Sequence, residues 1–217
     1  MPRTTLLILL FISLSYQTSA QSVGLFDDEV LQIQKKYDSL WDSKKKTIVF
    51  TGSSSIRMWP NLQESFPNHQ IVNSGFGGSE ATDLSYYLKE LVLAYKPFKV
   101  FIYEGDNDIN LGKSPKEIIS VTKDIISKIL AENATTEIVL ISAKPSIARW
   151  KLKGKYRRLN NKLAKLSNKS NGVLYANVWD SMVENKKLKK ELFLEDDLHM
   201  NSLGYDLWFN VIKNYIN

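Results

Sequence analysis

The sequence predicts an α/β fold, a parallel sheet of about five strands with helices on both of its faces. Three observations lead there. Short apolar runs rich in Val, Ile, Phe and Tyr alternate along the chain with longer stretches of helical period, the order that builds strand–helix–strand units. The runs are apolar throughout instead of alternating with polar residues, as strands covered on both faces are. Three of them lead into small-polar, glycine-containing loops, which a sheet of this kind gathers beyond the carboxyl ends of its strands.

The elements follow in order. A first helix is expected over 27–43, with Val30, Leu31, Ile33 and Tyr37 as its apolar members. Strands are expected at 47–51, 70–73, 98–104, 137–142 and 173–177, and helices at 80–95, 115–132, 150–168 and about 201–216. Ser114 before Pro115 reads as an N-cap followed by proline at the first helical position. In the 150–168 helix, Leu152, Tyr156, Leu159, Leu163 and Leu166 recur at steps of four and three, which sets them on one stripe and leaves the lysines on the wet face. Crossovers between parallel strands are nearly always right-handed, which limits the topologies to consider.

The chain of 217 residues is long enough for one domain with a real core. Its 43% hydrophobic and 24% charged residues are those of an ordinary globular protein. Residues 1–20, MPRTTLLILLFISLSYQTSA, have an early Arg3, an apolar stretch from Leu6 to Leu14, and small residues at Thr18 and Ala20. That is the layout of a secretory signal peptide, with cleavage expected after Ala20, so that 21–217 forms a single mature domain, secreted or periplasmic. The apolar stretch is too short to span a bilayer, which takes about 18 apolar residues, so no stable membrane insertion is expected after cleavage.

There is no cysteine, which excludes disulfides, thiolate metal sites and thiol nucleophiles. The net charge of +6 and a pI near 9.2 come largely from the solvated face of the 150–168 segment. Those basic residues lack interleaved aromatics, so no nucleic-acid partner is expected. Asp106, Asp108, Asn110 and Glu117 fall at positions 1, 3, 5 and 12 of a calcium-loop pattern, but Leu111 stands where the turn glycine is needed and Pro115 interrupts the loop. No metal is expected.

The chemistry must then come from oxygen, imidazole and carboxylate groups. His69 and His199 are the two imidazoles, and His69 lies in a polar turn just before a strand. His199 follows Asp196 by three residues, a spacing that puts both on one side of a helix or turn, while Asp197 points away. Asp196 can therefore bind one ring nitrogen and leave the other free to take a proton. In IVFTGSSSIRMW, residues 48–59, a strand ends on Gly52 and three serines, any of whose hydroxyls becomes a nucleophile once a base removes its proton. NSGFGGSE (73–80) and EGDNDIN (104–110) follow two other strands and supply backbone N–H groups and an asparagine amide suited to an oxyanion.

Taken together these four segments resemble the SGNH hydrolase superfamily, in its GDSL-like esterase/lipase group, over nearly all of 21–217. Gly52-Ser53-Ser54 with Trp59 resembles the family's nucleophile block, Asn73 and Gly78 its second, Gly105-Asp106-Asn107-Asp108 its third, and Asp196 with His199 its last. The resemblance implies a flavodoxin-like three-layer α/β/α sandwich and a serine esterase that needs no cofactor. It implies Ser54 as nucleophile, His199 as base and Asp196 as its orienting acid, with an oxyanion hole formed by Ser54, Gly78 and Asn107.

The chain departs from the family in Ser53, which replaces the aspartate of the first block and is expected to serve as a local turn or cap hydroxyl. This leaves Ser55 as the alternative nucleophile. No Gly-x-Ser-x-Gly elbow occurs. The expected substrate is a small-molecule or glycan ester, best an O-acetylated carbohydrate or another short-chain ester. The alternatives are a lysophospholipase or lipase activity, or a glycan-binding relative without catalysis. Tyr103, Lys144, Arg149 and Trp150 stand at strand ends or in adjacent loops, where they are candidates to line the pocket.

Overall fold

The computed structural model describes residues 24–217. The expected signal peptide and its cleavage position at Ala20 lie outside the described residues. Strands β1 (Thr47–Gly52), β2 (Gln70–Gly75), β3 (Lys99–Tyr103), β4 (Glu137–Ile141) and β5 (Val173–Ala176) form one parallel sheet in the order β2-β1-β3-β4-β5. Each lies within two residues of its sequence-based expectation. The helices are α1 (Asp27–Leu40), α2 (Ser54–Arg57), α3 (Leu62–Ser65), α4 (Ala81–Tyr86), α5 (Leu88–Leu91), α6 (Asp106–Asn110), α7 (Pro115–Glu132), α8 (Lys153–Ser167), α9 (Val178–Ser181) and α10 (Ser202–Ile212). The result is the three-layer α/β/α sandwich.

Because strand side chains alternate between faces, each strand feeds two cores. Val49, Val72, Val100, Ile102, Ile138 and Leu140 pack with α1, α4, α5, α7 and α8 on one face. Ile48, Phe50, Ile71, Phe101, Tyr103, Val139 and Ile141 pack on the other, with residues of α3 and α10. Phe50 and Phe101 stack across the strand pair at 4.3 Å, with Trp59, Tyr205 and Trp208 extending the aromatic layer. On α8, Tyr156, Leu159, Leu163 and Leu166 are buried as the stripe required, and Leu152 is half-buried just ahead of the helix. Ser114 caps α7 through the Glu117 N–H, with the reciprocal bond from Glu117, a full capping box.

The expected single helix over 80–95 is instead broken into α4, α5 and a 3-10 turn at Leu93–Tyr95. The bend falls at Tyr87, whose hydroxyl donates to Asp27 at 2.6 Å and whose ring packs edge-on against Phe76. A partner sixty residues away in sequence overrides the local helical preference. The last helix likewise tightens into a 3-10 turn at Lys213–Tyr215.

The free edge of β2 is sealed by side chains. The N–H groups of Ile71, Asn73 and Gly75 donate to Gln63 Oε1 (3.0 Å), Tyr37 Oη (2.7 Å) and Asn73 Oδ1 (3.1 Å). Such an edge offers little to another strand.

Candidate active site

All three polar loops open at the carboxyl edge of the sheet, and two of them are short helices. β1 ends at Gly52, which has φ +121° and lies so close to β3 that a Cβ would stand 2.0 Å from the Tyr103 carbonyl oxygen. Only glycine fits there. The chain then turns into α2, whose first residue is Ser54. Asn73 of β2 donates to the Ile56 carbonyl at 2.9 Å and so ties α2 to the sheet. Trp59 is buried against Phe50, Tyr205 and Trp208 and anchors the end of this segment.

Ser54 Oγ lies 3.0 Å from His199 Nε2, and His199 Nδ1 lies 2.5 Å from Asp196 Oδ2. Asp196 Oδ1 also accepts from the N–H groups of Leu198 (3.0 Å) and His199 (2.9 Å), so a tight turn holds the acid and the ring together. These bonds, first that from the His199 side chain, lower the Asp196 pKa to about 2. Asp197 takes φ +60° and is exposed; its carbonyl accepts from Ala148 at 3.0 Å. Ser55 is buried, and its carbonyl accepts from Tyr205. His69 precedes β2 at the opposite, amino edge of the sheet.

The Asn107 amide links the segments that carry the other two oxyanion candidates, binding Ser53 beside Ser54 and Ser79 beside Gly78. Neither the Ser54 nor the Gly78 N–H has a protein acceptor among the described residues. Gly78 has φ +79° with open space where a side chain would go. Asn107, in the first turn of α6, directs Nδ2 to Ser53 Oγ and to the Ser79 carbonyl, both at 2.8 Å. Its Oδ1 accepts from Arg149 Nη1 at 3.1 Å, which fixes which way the amide faces. Ser53 is therefore not the expected cap: its hydroxyl makes no capping bond to α2 and serves as the acceptor for Asn107.

Beneath the site lies a buried ionic cluster that takes in Tyr103, Lys144 and Arg149, three of the four pocket-lining candidates. Tyr103 and Lys144 are fully buried. Asp106 accepts from Arg149 Nη1 (2.6 Å), Tyr156 Oη (2.7 Å) and Tyr103 Oη (3.0 Å), with Lys144 Nζ at 3.6 Å. Burial pushes the Asp106 carboxyl up, but Lys144 and Arg149 outweigh it and hold the group below its ordinary range. Trp150 is half-buried and stacks on Trp179. The strand-end position of these residues was visible in sequence; their inward direction was not.

The residues of the calcium-like pattern go to separate partners: Asp106 to this cluster, Asp108 to the Ala81 N–H, and Glu117 to the α7 cap. Among the described residues no group of three or more His, Asp or Glu side chains is placed to hold a metal ion. Glu104, just after β3, is buried with Oε1 accepting from Ser79 Oγ at 2.7 Å and Oε2 without a hydrogen-bond partner among the described residues. Burial, reinforced by Asp108, pushes its pKa well up.

Residues 38–207 match the family described as GDSL-like Lipase/Acylhydrolase. No protein of curated function matches the chain. Among solved structures, a Streptococcus pneumonia protein provisionally named a platelet activating factor is 26% identical, with a TM-score of 0.75 over 92% of this chain and 100% of that one. A GDSL-like lipase from Bacteroides thetaiotaomicron is 21% identical, with a TM-score of 0.70 over 84% of this chain and 96% of that one. A family 3 carbohydrate esterase from Talaromyces cellulolyticus shares the fold at 17% identity, with a TM-score of 0.65 over 79% of this chain and 95% of that one. With the family match running through most of the chain, the protein belongs to the GDSL-like lipase/acylhydrolase family of the SGNH hydrolases and is a hydrolase of ester bonds.

Proposed function

We propose that the protein is a serine esterase that removes short acyl groups, best acetate from an O-acetylated carbohydrate, through an acyl-enzyme. The observation that carries this reading is the line of contacts from Ser54 through His199 to Asp196, at 3.0 and 2.5 Å. Ser54 Oγ attacks the ester carbonyl while His199 Nε2 takes its proton, and Asp196 holds the ring and supports the imidazolium. The C–O bond to the alcohol then breaks, with His199 returning the proton to the leaving oxygen. Water, deprotonated by His199, attacks the acyl carbon and releases the acid and Ser54.

The tetrahedral oxyanion is stabilised by the Ser54 and Gly78 N–H groups and by Asn107 Nδ2. Asn107 meets it by exchanging its bond to Ser53, a neutral hydroxyl, for one to a charged oxygen, and charge-assisted bonds are about twice as strong as neutral ones. Only protein groups take part, with no cofactor.

Support for a small acyl group comes from the loops that frame Ser54, which are short and polar, and from fold relatives that include a carbohydrate esterase. The segment at residues 1–20 supports export, which removes acyl-CoA from the candidate substrates. No helix among the described residues is long and apolar enough to cross a membrane.

Hydrolysis of p-nitrophenyl acetate and octanoate, together with acetate release from an acetylated xylan, tests the reading. Faster turnover of acetate than octanoate with acetate released from the glycan is expected. Preference for octanoate would move the assignment to a lipase or lysophospholipase.

A further inference from the structure

Lys144 is fully buried, yet the reaction as described gives it no role. Its Nζ donates to the Leu198 carbonyl at 2.7 Å, inside the Asp196–His199 turn. The same ammonium sits 3.6 Å from Asp106 and 5.8 Å from the ring centroid of Phe193. The turn that carries the imidazole is otherwise closed on itself, by Leu194 N–H to the His199 carbonyl (2.8 Å), Asp197 N–H to the Leu194 carbonyl (3.0 Å) and the Phe193–Met200 bridge. Those bonds fix its shape but not its position over the sheet.

Position is held by α10, whose Tyr205 Oη donates to the Ser55 carbonyl at 3.0 Å, and by the segment after β4. Lys144 reaches Leu198, Ala148 N–H reaches the Asp197 carbonyl at 3.0 Å, and Arg149 reaches Asp106 and the Asn107 amide. One segment thus touches both halves of the site, the base on one side and the oxyanion donor on the other.

We propose that Lys144 is a positioning residue for ester hydrolysis, pinning the His199 turn through the Leu198 carbonyl so that Nε2 stays within reach of Ser54 Oγ. The proposal rests on the Ser54–His199 reading above. A buried charged donor suits this task. Its bond to a carbonyl is charge-assisted and excluded from water, which makes it stiffer than a neutral or solvated contact. Asp106, on the first turn of α6 beside Asn107, fixes the other side of the ammonium. The distance from Asn107 to His199 is thereby set by two ion contacts to one carboxylate. Displacement of a catalytic group by about 1 Å can slow turnover by roughly 10²-fold.

The test is steady-state hydrolysis of p-nitrophenyl acetate by the full chain and by Lys144→Met, with Ser54→Ala in parallel. Methionine keeps the length and removes the donor, and Asp106 retains Arg149, Tyr103 and Tyr156, so a folded protein is expected. The expected result is a fall in kcat of about 10- to 100-fold with KM changed less than about twofold. A folded Lys144→Met with kcat within threefold of wild type overturns the proposal, and so does a loss confined to KM. Should Lys144→Met fail to fold, Lys144→Ala with added n-propylammonium, which replaces the missing stem and charge, takes its place. Return of kcat with amine supports the proposal, whereas return of the fold without activity, or failure of both variants to fold, overturns it. Residual activity in Ser54→Ala would instead show that the serine reading itself has failed, whatever Lys144 does.

Discussion

Ser53, Ser54 and Ser55 are three identical side chains with three different surroundings. Ser54 faces His199, Ser53 accepts from Asn107, and Ser55 is buried with its carbonyl bound by Tyr205. Composition cannot separate them; the resemblance to the family's nucleophile block does, because Ser54 keeps that block's offset from Gly52 and spacing to Trp59. The Asp196–His199 contact was equally readable, since three residues set acid and ring on one side of a turn. Glu104 was not readable, because nothing in a local pattern shows that a carboxyl at a strand end points inward.

Its burial has a pH consequence. With its folded pKa raised well above 4.5, the native state holds a proton that the unfolded chain releases, so stability is present below about pH 4.5 and declines as pH rises toward the folded pKa. Glu104→Gln removes that decline. The variant should gain on wild type by up to about 1.4 kcal/mol per pH unit above this point, read from urea unfolding at pH 5, 6 and 7. Parallel curves for the two proteins would contradict the buried, protonated assignment.

At the scale of elements, the strands were legible to within two residues because each is a short apolar run, and the central β1 and β3 are buried on both faces. The short helices α2 and α6 were read as loops: serine, aspartate and asparagine suit turns as well as first helical turns, and four or five residues are too few for a period to show. The break at Tyr87 was hidden for a different reason, since it depends on Asp27 in α1. Gly52 shows how an element boundary controls the site. Gly52→Ala would drive a methyl to 2.0 Å from the Tyr103 carbonyl in a backbone region that disfavours side chains. It should destabilise the fold by about 3 kcal/mol or more, with activity falling as the start of α2 shifts. Thermal unfolding and esterase assays check it, and an unchanged Tm would mean that β1 and β3 are less closely packed than described.

The whole molecule is two cores sharing one sheet, and its alternation was implicit in the strand sequences, although the assignment of helices to faces was not. Nor was the closure of the amino edge. Lys99 at the start of β3 is fully buried and donates to the main-chain oxygens of Tyr215 (2.8 Å) and Asn217 (2.6 Å), beside Glu137 at 2.9 Å. A lysine in an apolar run reads locally as a strand end. The two main-chain oxygens it binds lie more than a hundred residues away. Lys99→Met leaves those oxygens without a donor and should cost about 2 kcal/mol, with faster amide exchange confined to residues 211–217. Exchange unchanged there would show that α10 holds the end of the chain without it.

The central claim is that Ser54 is the nucleophile of an ester hydrolase, and a fluorophosphonate that reacts with activated serines tests it most directly. The account predicts one phosphonyl group per chain, mapped by peptide mass spectrometry to Ser54, with labelling abolished in Ser54→Ala and in His199→Ala but retained in Ser55→Ala. A label on Ser55, or labelling of Ser54 that survives loss of His199, would contradict it.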